Sequence, residues 1–219
     1  MKKYFEILRK CPLFDNIEDE NLEAMMGCLG AKIKKFNKKE TVIAEGEPAK
    51  FIGIVLYGSV QIERTDYYGN RSIVSKIGAS ELFGESFACA DAPKMPIDVI
   101  AAEKSEIMLI DCKKIIVTCG SSCGFHNQMI FNLLKIVAQK NLLFNQKLEV
   151  TSKRTTREKL MAYLLLQAKK KGCSEFEIPY DRQELADYLE VDRSGLSAEI
   201  SKLRNEGIVE CRKNKFKLI

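Results

Sequence analysis

Thiols and an imidazole fall close together in one stretch of the chain: Cys112, then Cys119-x3-Cys123-x2-His126. Thiolate and imidazole ligands can hold Zn²⁺ or an iron–sulfur cluster, and neighbouring thiols can act as a redox pair. The spacing is only partly regular, and free cysteine is often a small buried hydrophobe. The four residues are therefore read two ways: as a metal or redox switch, or as packing residues with a capping histidine. A second set has the chemistry of nucleic-acid recognition. Arg193, Ser194, Ser197, Ser201 and Lys202 are small or cationic, and Lys213 and Lys215 follow close behind. Such groups bond base edges or phosphate oxygens. Catalysis has no comparable support. The sequence shows no Ser–His–Asp constellation, no P-loop and no paired catalytic carboxylates. A metal-dependent oxygenase on a β-roll commonly needs two His and a carboxylate, and this chain has one His. The chain is expected not to be an enzyme.

The elements that must position the second set are legible. Asp181 with Glu184 makes a capping box for a short helix whose apolar face is Leu185, Ala186 and Leu189. Val191 fills a turn, and Asp192 can cap a second helix. Leu196, Ile200 and Leu203 repeat at the spacing of one buried stripe, and Gly207 suits the left-handed position that ends it. Two packed helices in an all-helical domain would explain the stripe. Cap, turn, stripe and polar outer face together favour a helix-turn-helix. Ile208-Val-Glu-Cys211 and Phe216-Lys-Leu-Ile219 then flank Arg212-Lys-Asn-Lys215, two strands and a basic turn that make a wing.

Charge agrees with this placement. Residues 1–150 carry 20 Lys and Arg against 19 Asp and Glu, a net +1, whereas residues 151–219 carry 15 against 11, a net +4. Phosphate contact requires the basic excess at that end. Eight Cys without an export leader argue for reduced thiols in a cytoplasm. The most apolar run, 51–60, is broken by Gly53 and Gly58 and is too short to span a bilayer.

Further back, residues 1–30 look helical, with Leu13, Phe14, Ile17, Leu22 and Met25 as packing positions. From Ala31 to about Asp111, short apolar runs alternate with Gly-containing or charged turns, the pattern of an antiparallel β-roll or jelly roll. A long helix is expected from about His126 to Val150. In it Ile130, Leu134, Val137, Asn141, Phe144 and Leu148 alternate steps of four and three, a coiled-coil seam that pairs two chains. The alternative is an amphipathic helix lying on its own β-roll. Met129, Leu133, Leu142 and Leu143 can serve that intramolecular face while the seam stays free. Thr155 with Glu158 opens the next helix by a capping box. The expected α+β architecture is a sensing β-roll over 1–125, a dimerisation helix and hinge over 126–152, and a winged helix-turn-helix over 153–219.

Four segments carry a resemblance to the CRP/FNR family of bacterial transcription regulators: 36–62, Phe83-Gly-Glu-Ser86, 126–150 and 181–207. The resemblance implies a homodimer reading a two-fold symmetric operator in duplex DNA, with RNA polymerase as a further partner and no membrane. Arg193, Ser194 and Ser197 match groove-facing positions, and Arg182 and Gln183 match phosphate-contacting ones. Ala198 stands where the family often has Arg, which reads guanine bidentately. Gly195 brings no side chain either; it marks a position that needs only small size, or a close approach of backbone to DNA.

The resemblance also places an effector cassette at Phe83, Gly84, Glu85 and Ser86, with Met95 and Asn141 as further pocket candidates. Nucleotide-binding members grip the cyclic phosphate with Arg and a following Ser or Thr. Met95 and Pro96 occupy those positions and offer neither cation, hydroxyl nor, at Pro96, a backbone N–H. Cyclic AMP is not the expected effector. Only Cys11 and Cys28 lie near the N-terminus, far apart, so the N-terminal cluster motif of FNR-type members is absent. The expected function is a DNA-binding regulator gated by an unidentified effector or a redox or metal signal. The alternatives are a partner- or ligand-binding module with degenerate DNA recognition, and a jelly-roll metalloenzyme with an accessory helix-turn-helix.

Overall fold

The computed structural model describes residues 2–117 and 124–219. Short helices α1 (Phe5–Leu8) and α2 (Asp19–Leu29) precede eight strands: β1 (Lys32–Phe36), β2 (Thr41–Ile43), β3 (Phe51–Tyr57), β4 (Val60–Thr65), β5 (Arg71–Ile77), β6 (Leu82–Phe83), β7 (Asp98–Ala101) and β8 (Ser105–Asp111). Helix α3 (Glu85–Cys89) separates β6 from β7. The strands form two four-stranded sheets, ordered β1-β8-β3-β6 and β2-β7-β4-β5. First pairs with eighth, second with seventh, third with sixth and fourth with fifth. That nested order is a long hairpin rolled up on itself, a jelly roll. Six of the strands follow the apolar runs of the sequence. β1 and β6 do not, because Lys32-Ile-Lys-Lys-Phe36 is an edge strand with lysines outside and β6 is only two residues long.

Helix α4 (Lys113–Ile116) follows β8; helix α5 (Gly124–Thr151) comes next, and then α6 (Thr156–Lys171). β9 (Glu175–Glu177), α7 (Arg182–Leu189), α8 (Arg193–Asn205), β10 (Val209–Arg212) and β11 (Lys215–Leu218) complete the chain. β10 and β11 pair antiparallel as a wing, and β9 adds a third strand that periodicity did not reveal, because three residues are too few to show alternation.

Contacts divide the chain into two units: 1–64 with 75–141, and 65–74 with 142–219. In the first, Leu8, Leu13, Leu22, Met25 and Leu29 pack with Ile52, Ile54, Met108, Ile110, Met129 and Leu133 in one core. In the second, Leu160, Tyr163, Leu164, Leu185, Leu189, Leu196, Ile200, Leu203 and Phe216 form the core. The tip of the β4–β5 hairpin belongs to this second unit, a departure from a boundary drawn at the long helix. Ile73 is fully buried in its core, and Arg71 Nε donates to Asp187 Oδ2 of α7 at 2.9 Å.

Helix α5 corrects part of the seam expectation. Leu134 and Leu148 are 67% and 65% exposed, and Asn141 and Phe144 are exposed too. Ile130 is only partly exposed, and Val137 packs on the β-roll's own core. Leu142 and Leu143, expected to face inward, are instead 64% and 51% exposed, as is Phe131 at 61%. Met129 and Leu133 of the expected inward face are both buried. The exposed large apolar residues of α5 are Phe131, Leu134, Leu142, Leu143, Phe144 and Leu148.

Candidate nucleic-acid interface and effector cassette

The helix-turn-helix is fixed by local bonds. Glu184 N–H donates to Asp181 Oδ1 at 2.8 Å, and Asp181 N–H returns a bond to Glu184 Oε2 at 2.9 Å. The capping box at Thr155 and Glu158 is reciprocal in the same way, at 3.1 and 3.0 Å. Gly195 N–H donates to Asp192 Oδ2 at 2.8 Å, and the Ser194 hydroxyl donates to the same oxygen. Hydrogen bonds from Ser194 and then from the Gly195 amide hold the Asp192 carboxyl below its usual range. Between the helices, Glu190 takes the left-handed conformation at φ 55°. Lys159 Nζ lies 3.2 Å from each of the carbonyls of Leu189 and Glu190, so a cation covers the C-terminal end of α7. Gly207, at φ 73°, terminates α8; the following Ile208 N–H donates to Leu203 O at 3.0 Å, closing a Schellman turn. Arg157 meets the Glu206 carboxylate through both terminal nitrogens, the Nη1–Oε1 bond being 2.8 Å, and so ties α6 to the end of α8.

This frame turns one face of α8 outward. Arg193, Ser194, Ala198, Ser201 and Lys202 are exposed and Ser197 is half-buried. Ser201 donates back to Ser197 O at 3.0 Å, and Lys202 Nζ pairs with Glu199 at 2.6 Å. On the wing Arg212, Lys213 and Lys215 are exposed around a turn in which Lys213 has φ 56°. Asn214 folds inward instead, its amide donating to Glu177 Oε1 at 2.8 Å. Gln183 is exposed with its amide on Asp187 Oδ1 at 2.8 Å. Arg182 departs from the outward placement expected of a phosphate contact. Its guanidinium lies 6.0 Å from the centroid of the Phe216 ring, with Nη2 3.5 Å from Cys211 Sγ, and Nη1 is buried without a hydrogen-bond partner. Burial of its planar group against the wing wins over extension into water. A Cβ built on Gly195 would meet only Asp192 Oδ2, at 3.7 Å, an ordinary contact, and its φ is not positive. Nothing inside the described structure requires glycine there.

The cassette has the opposite character. Phe83 is fully buried, its ring so close to Gly53 that a Cβ there would fall 2.0 Å from it. Gly84 has φ 79° and starts α3, whose first residue, Glu85, is 3% exposed. A carboxylate buried that deeply needs a counter-charge. Lys140 of α5 supplies it: Nζ lies 3.0 Å from Glu85 Oε2 and also donates to Leu82 O at 2.5 Å. Ser86 Oγ donates to Glu85 Oε1 at 3.2 Å. Met95 is buried and bonded on both sides through its backbone, N–H to Glu47 O and carbonyl from Gly46 N–H, each 2.8 Å. Asn141 is exposed, whereas its neighbour Lys140, which periodicity did not single out, completes the cassette. A buried glutamate in the sequence calls for a cation but does not say which of 35 Lys and Arg it is.

Of the four candidate metal ligands, Cys119 and Cys123 lie outside the described residues. His126 is buried and stacked on Phe125 at 4.9 Å between ring centroids. Cys112 is buried beside Cys89, Sγ to Sγ 3.7 Å. Among the described residues no group of three or more His, Cys, Asp or Glu could hold a metal ion. Nor, among them, is any helix long and apolar enough to cross a membrane.

Comparison with known proteins agrees with both halves. Residues 33–119 match the family model of a cyclic nucleotide-binding domain, and residues 158–219 match that of a Crp-like helix-turn-helix domain; together they span more than half the chain. The chain is 32% identical over 80 residues to a CRP-like cAMP-activated global transcriptional regulator of Mycobacterium tuberculosis, and 28% identical over 107 residues to the potassium channel KAT1 of Oryza sativa. Those stretches are 36% and 49% of this chain but only 35% and 14% of the relatives' own lengths. In fold, the chain resembles CLP, the c-di-GMP-responsive global regulator of Xanthomonas campestris. The TM-score is 0.72 at 17% identity, covering 92% of this chain and 99% of that one.

Proposed function

We propose that this chain, which belongs to the CRP/FNR family of transcription regulators, acts in the cytoplasm as a homodimer that binds a two-fold symmetric site in duplex DNA. The observation that carries the reading is the outward face of α8 with the wing beside it: Arg193, Ser194, Ser201 and Lys202, then Arg212, Lys213 and Lys215, all exposed on a frame held by caps and a buried stripe. Arg193, Ser194 and Ser197 stand at the start of α8, where a recognition helix meets base edges. Ser201, Lys202, Lys213 and Lys215 serve the backbone, and Gln183 lies near it. Gly195 lets the α8 backbone come close to the duplex. Arg182 braces the wing. RNA polymerase is the further partner expected of such a regulator.

Pairing uses α5. Phe131, Leu134, Leu142 and Leu148 are large, apolar and exposed on one helix, and a second copy of the same helix covers them. The domain division is a β-roll sensor, the long helix with its hinge, and the winged helix-turn-helix.

The sensor does not take cyclic AMP by the phosphate grip of its relatives. Glu85 is neutralised by Lys140, Met95 is packed away, and Pro96 offers no donor. The effector is a different ligand or a redox signal. It acts by shifting a two-state equilibrium in how the recognition helices are presented.

Sedimentation velocity together with a gel-shift titration against the gene's own upstream DNA tests this. A dimer is expected, with affinity that falls about 10³–10⁵-fold between 50 and 200 mM salt if 6–10 phosphates are contacted. A monomer at high concentration that leaves duplex DNA unshifted in dilute buffer would overturn it.

A further inference from the structure

Cys112 has a neighbour that spacing along the chain does not suggest. Cys89 is the last residue of α3 and Cys112 caps the start of α4, yet their sulfurs are 3.7 Å apart. Cys112 is 2% exposed and its backbone is pinned, N–H to Lys50 O at 2.9 Å and carbonyl from Ile115 N–H at 2.9 Å. Cys89 is half-buried on a helix of only five residues. A cavity of about 140 Å³ opens at Cys112, bounded also by Lys50, Ala88, Asp91, Pro93 and Lys113. It has room for a small hydroperoxide beside Ala88, the residue before Cys89, with two lysines on its wall.

We propose that Cys89 and Cys112 are a redox-active dithiol, closed to an intrachain disulfide by a small hydroperoxide and reopened by a thiol reductant. The sulfurs are in van der Waals contact, and closing to the ~2.05 Å bond draws Cys89 toward the pinned Cys112. The roles divide by environment. The contact with Cys112 lowers the Cys89 pKa, against burial and the charges of Glu85 and Asp91. The same contact, with burial, pushes the Cys112 thiol up. Cys89, half-buried where Cys112 is 2% exposed, is the more accessible thiol and attacks first. Its sulfur takes the terminal oxygen of the hydroperoxide: the S–O bond forms, the O–O bond breaks, and the alkoxide leaves as an alcohol with a proton from water. Cys112 then loses its proton and attacks the sulfenic sulfur. The S–S bond forms and the S–O bond breaks, and the oxygen leaves as water carrying that proton. In sum, two thiols and one hydroperoxide give one disulfide, one alcohol and one water, a two-electron oxidation of the dithiol.

The position gives the disulfide a consequence. Glu85 opens the helix that Cys89 ends, and it holds Lys140 of α5. Drawing Cys89 toward Cys112 pulls on that pair, and so on α5. This consequence, unlike the chemistry, rests on the reading of the chain as a DNA-binding regulator.

The test treats the reduced full chain with a few equivalents of hydrogen peroxide, alkylates the remaining thiols and maps the peptides by mass. The exposed Cys28 and Cys173 serve as internal controls. A Cys89–Cys112 linked peptide, formed before the controls are modified and lost on adding dithiothreitol, is the expected result. Cys89 and Cys112 both still alkylated, Cys112 linked to another cysteine, or the controls oxidised first would each overturn the proposal. A gel shift on the same samples reads the consequence. At least a threefold change in DNA affinity on oxidation, absent from Cys89→Ser, is expected; an unchanged affinity in the cross-linked protein refutes the coupling to α5. Failure of the reduced chain to bind DNA would count against the regulator reading alone, since the peptide map decides the dithiol independently.

Discussion

The helix-turn-helix and the cassette solve opposite problems with similar residues. The first keeps its cations in water: Arg193, Lys202 and Lys213 are exposed, and caps within three residues of sequence hold their frame. The second hides its charges: Glu85 is 3% exposed and meets a lysine 55 residues away. A surface cation contributes little to folding and is free to meet a polyanion. A buried pair contributes mainly through the penalty for breaking it. The reading end is therefore expected to tolerate substitution in stability and respond in binding, and the cassette the reverse.

The largest expected effect is at the cassette. Lys140→Met strands Glu85 and should destabilise the chain by about 3–5 kcal/mol, with Glu85→Gln added in the same chain recovering much of it. Urea unfolding of the wild type, the single variant and the double variant checks this. A loss below 1 kcal/mol would put the pair on a par with surface ones. At the reading end, Arg193→Ala should leave unfolding unchanged within about 0.5 kcal/mol. It should weaken site-specific DNA binding by about 1–3 kcal/mol. Lys213→Ala should weaken binding to all duplexes alike and lower the salt slope by about 1; fluorescence anisotropy at several salt concentrations separates the two. Gly195→Ala should split in sign. Folding gains up to about 0.5–1 kcal/mol, because the new methyl has room and glycine is a poor helix former. DNA affinity falls, because the backbone can no longer approach as closely. Equal affinity would assign Gly195 no role at the duplex.

A further effect is a pH dependence. Lys147 Nζ donates to Ile73 O at 2.5 Å and lies 4.7 Å from the centroid of the Tyr188 ring. Burial lowers its pKa to about 8, against a smaller opposing pull from Glu190. Below pH 8 the ammonium is charged in both states and the burial penalty is present in full. Between pH 8 and the ordinary lysine value of 10.5 the unfolded chain binds the extra proton, so stability rises with pH. Unfolding of the wild type relative to Lys147→Met should show that rise across the window; a flat difference would remove it.

What was legible in the sequence follows the same division. Caps at Thr155, Asp181 and Asp192 act over three residues, and the stripe Leu196, Ile200, Leu203 repeats within one helix, so each could be read and each is present. Six β-roll strands announced themselves by apolar runs between turns. Pairings across long separations did not. Glu85 with Lys140, Arg71 with Asp187 116 residues on, and Cys89 with Cys112 depend on how the chain returns, which no local period encodes. Helix α5 lies between these cases. Its heptad spacing was visible, but periodicity could not say which flank meets the β-roll, and Val137 and Leu142 exchanged places.

Selection of bound duplexes from a random pool by the purified reduced chain tests the central claim most directly. The enriched sequences should contain two inverted half-sites with centres about 10–10.5 base pairs apart, or a multiple of that, one for each recognition helix of a dimer. An unenriched pool, or a single half-site with no inverted partner, would contradict it.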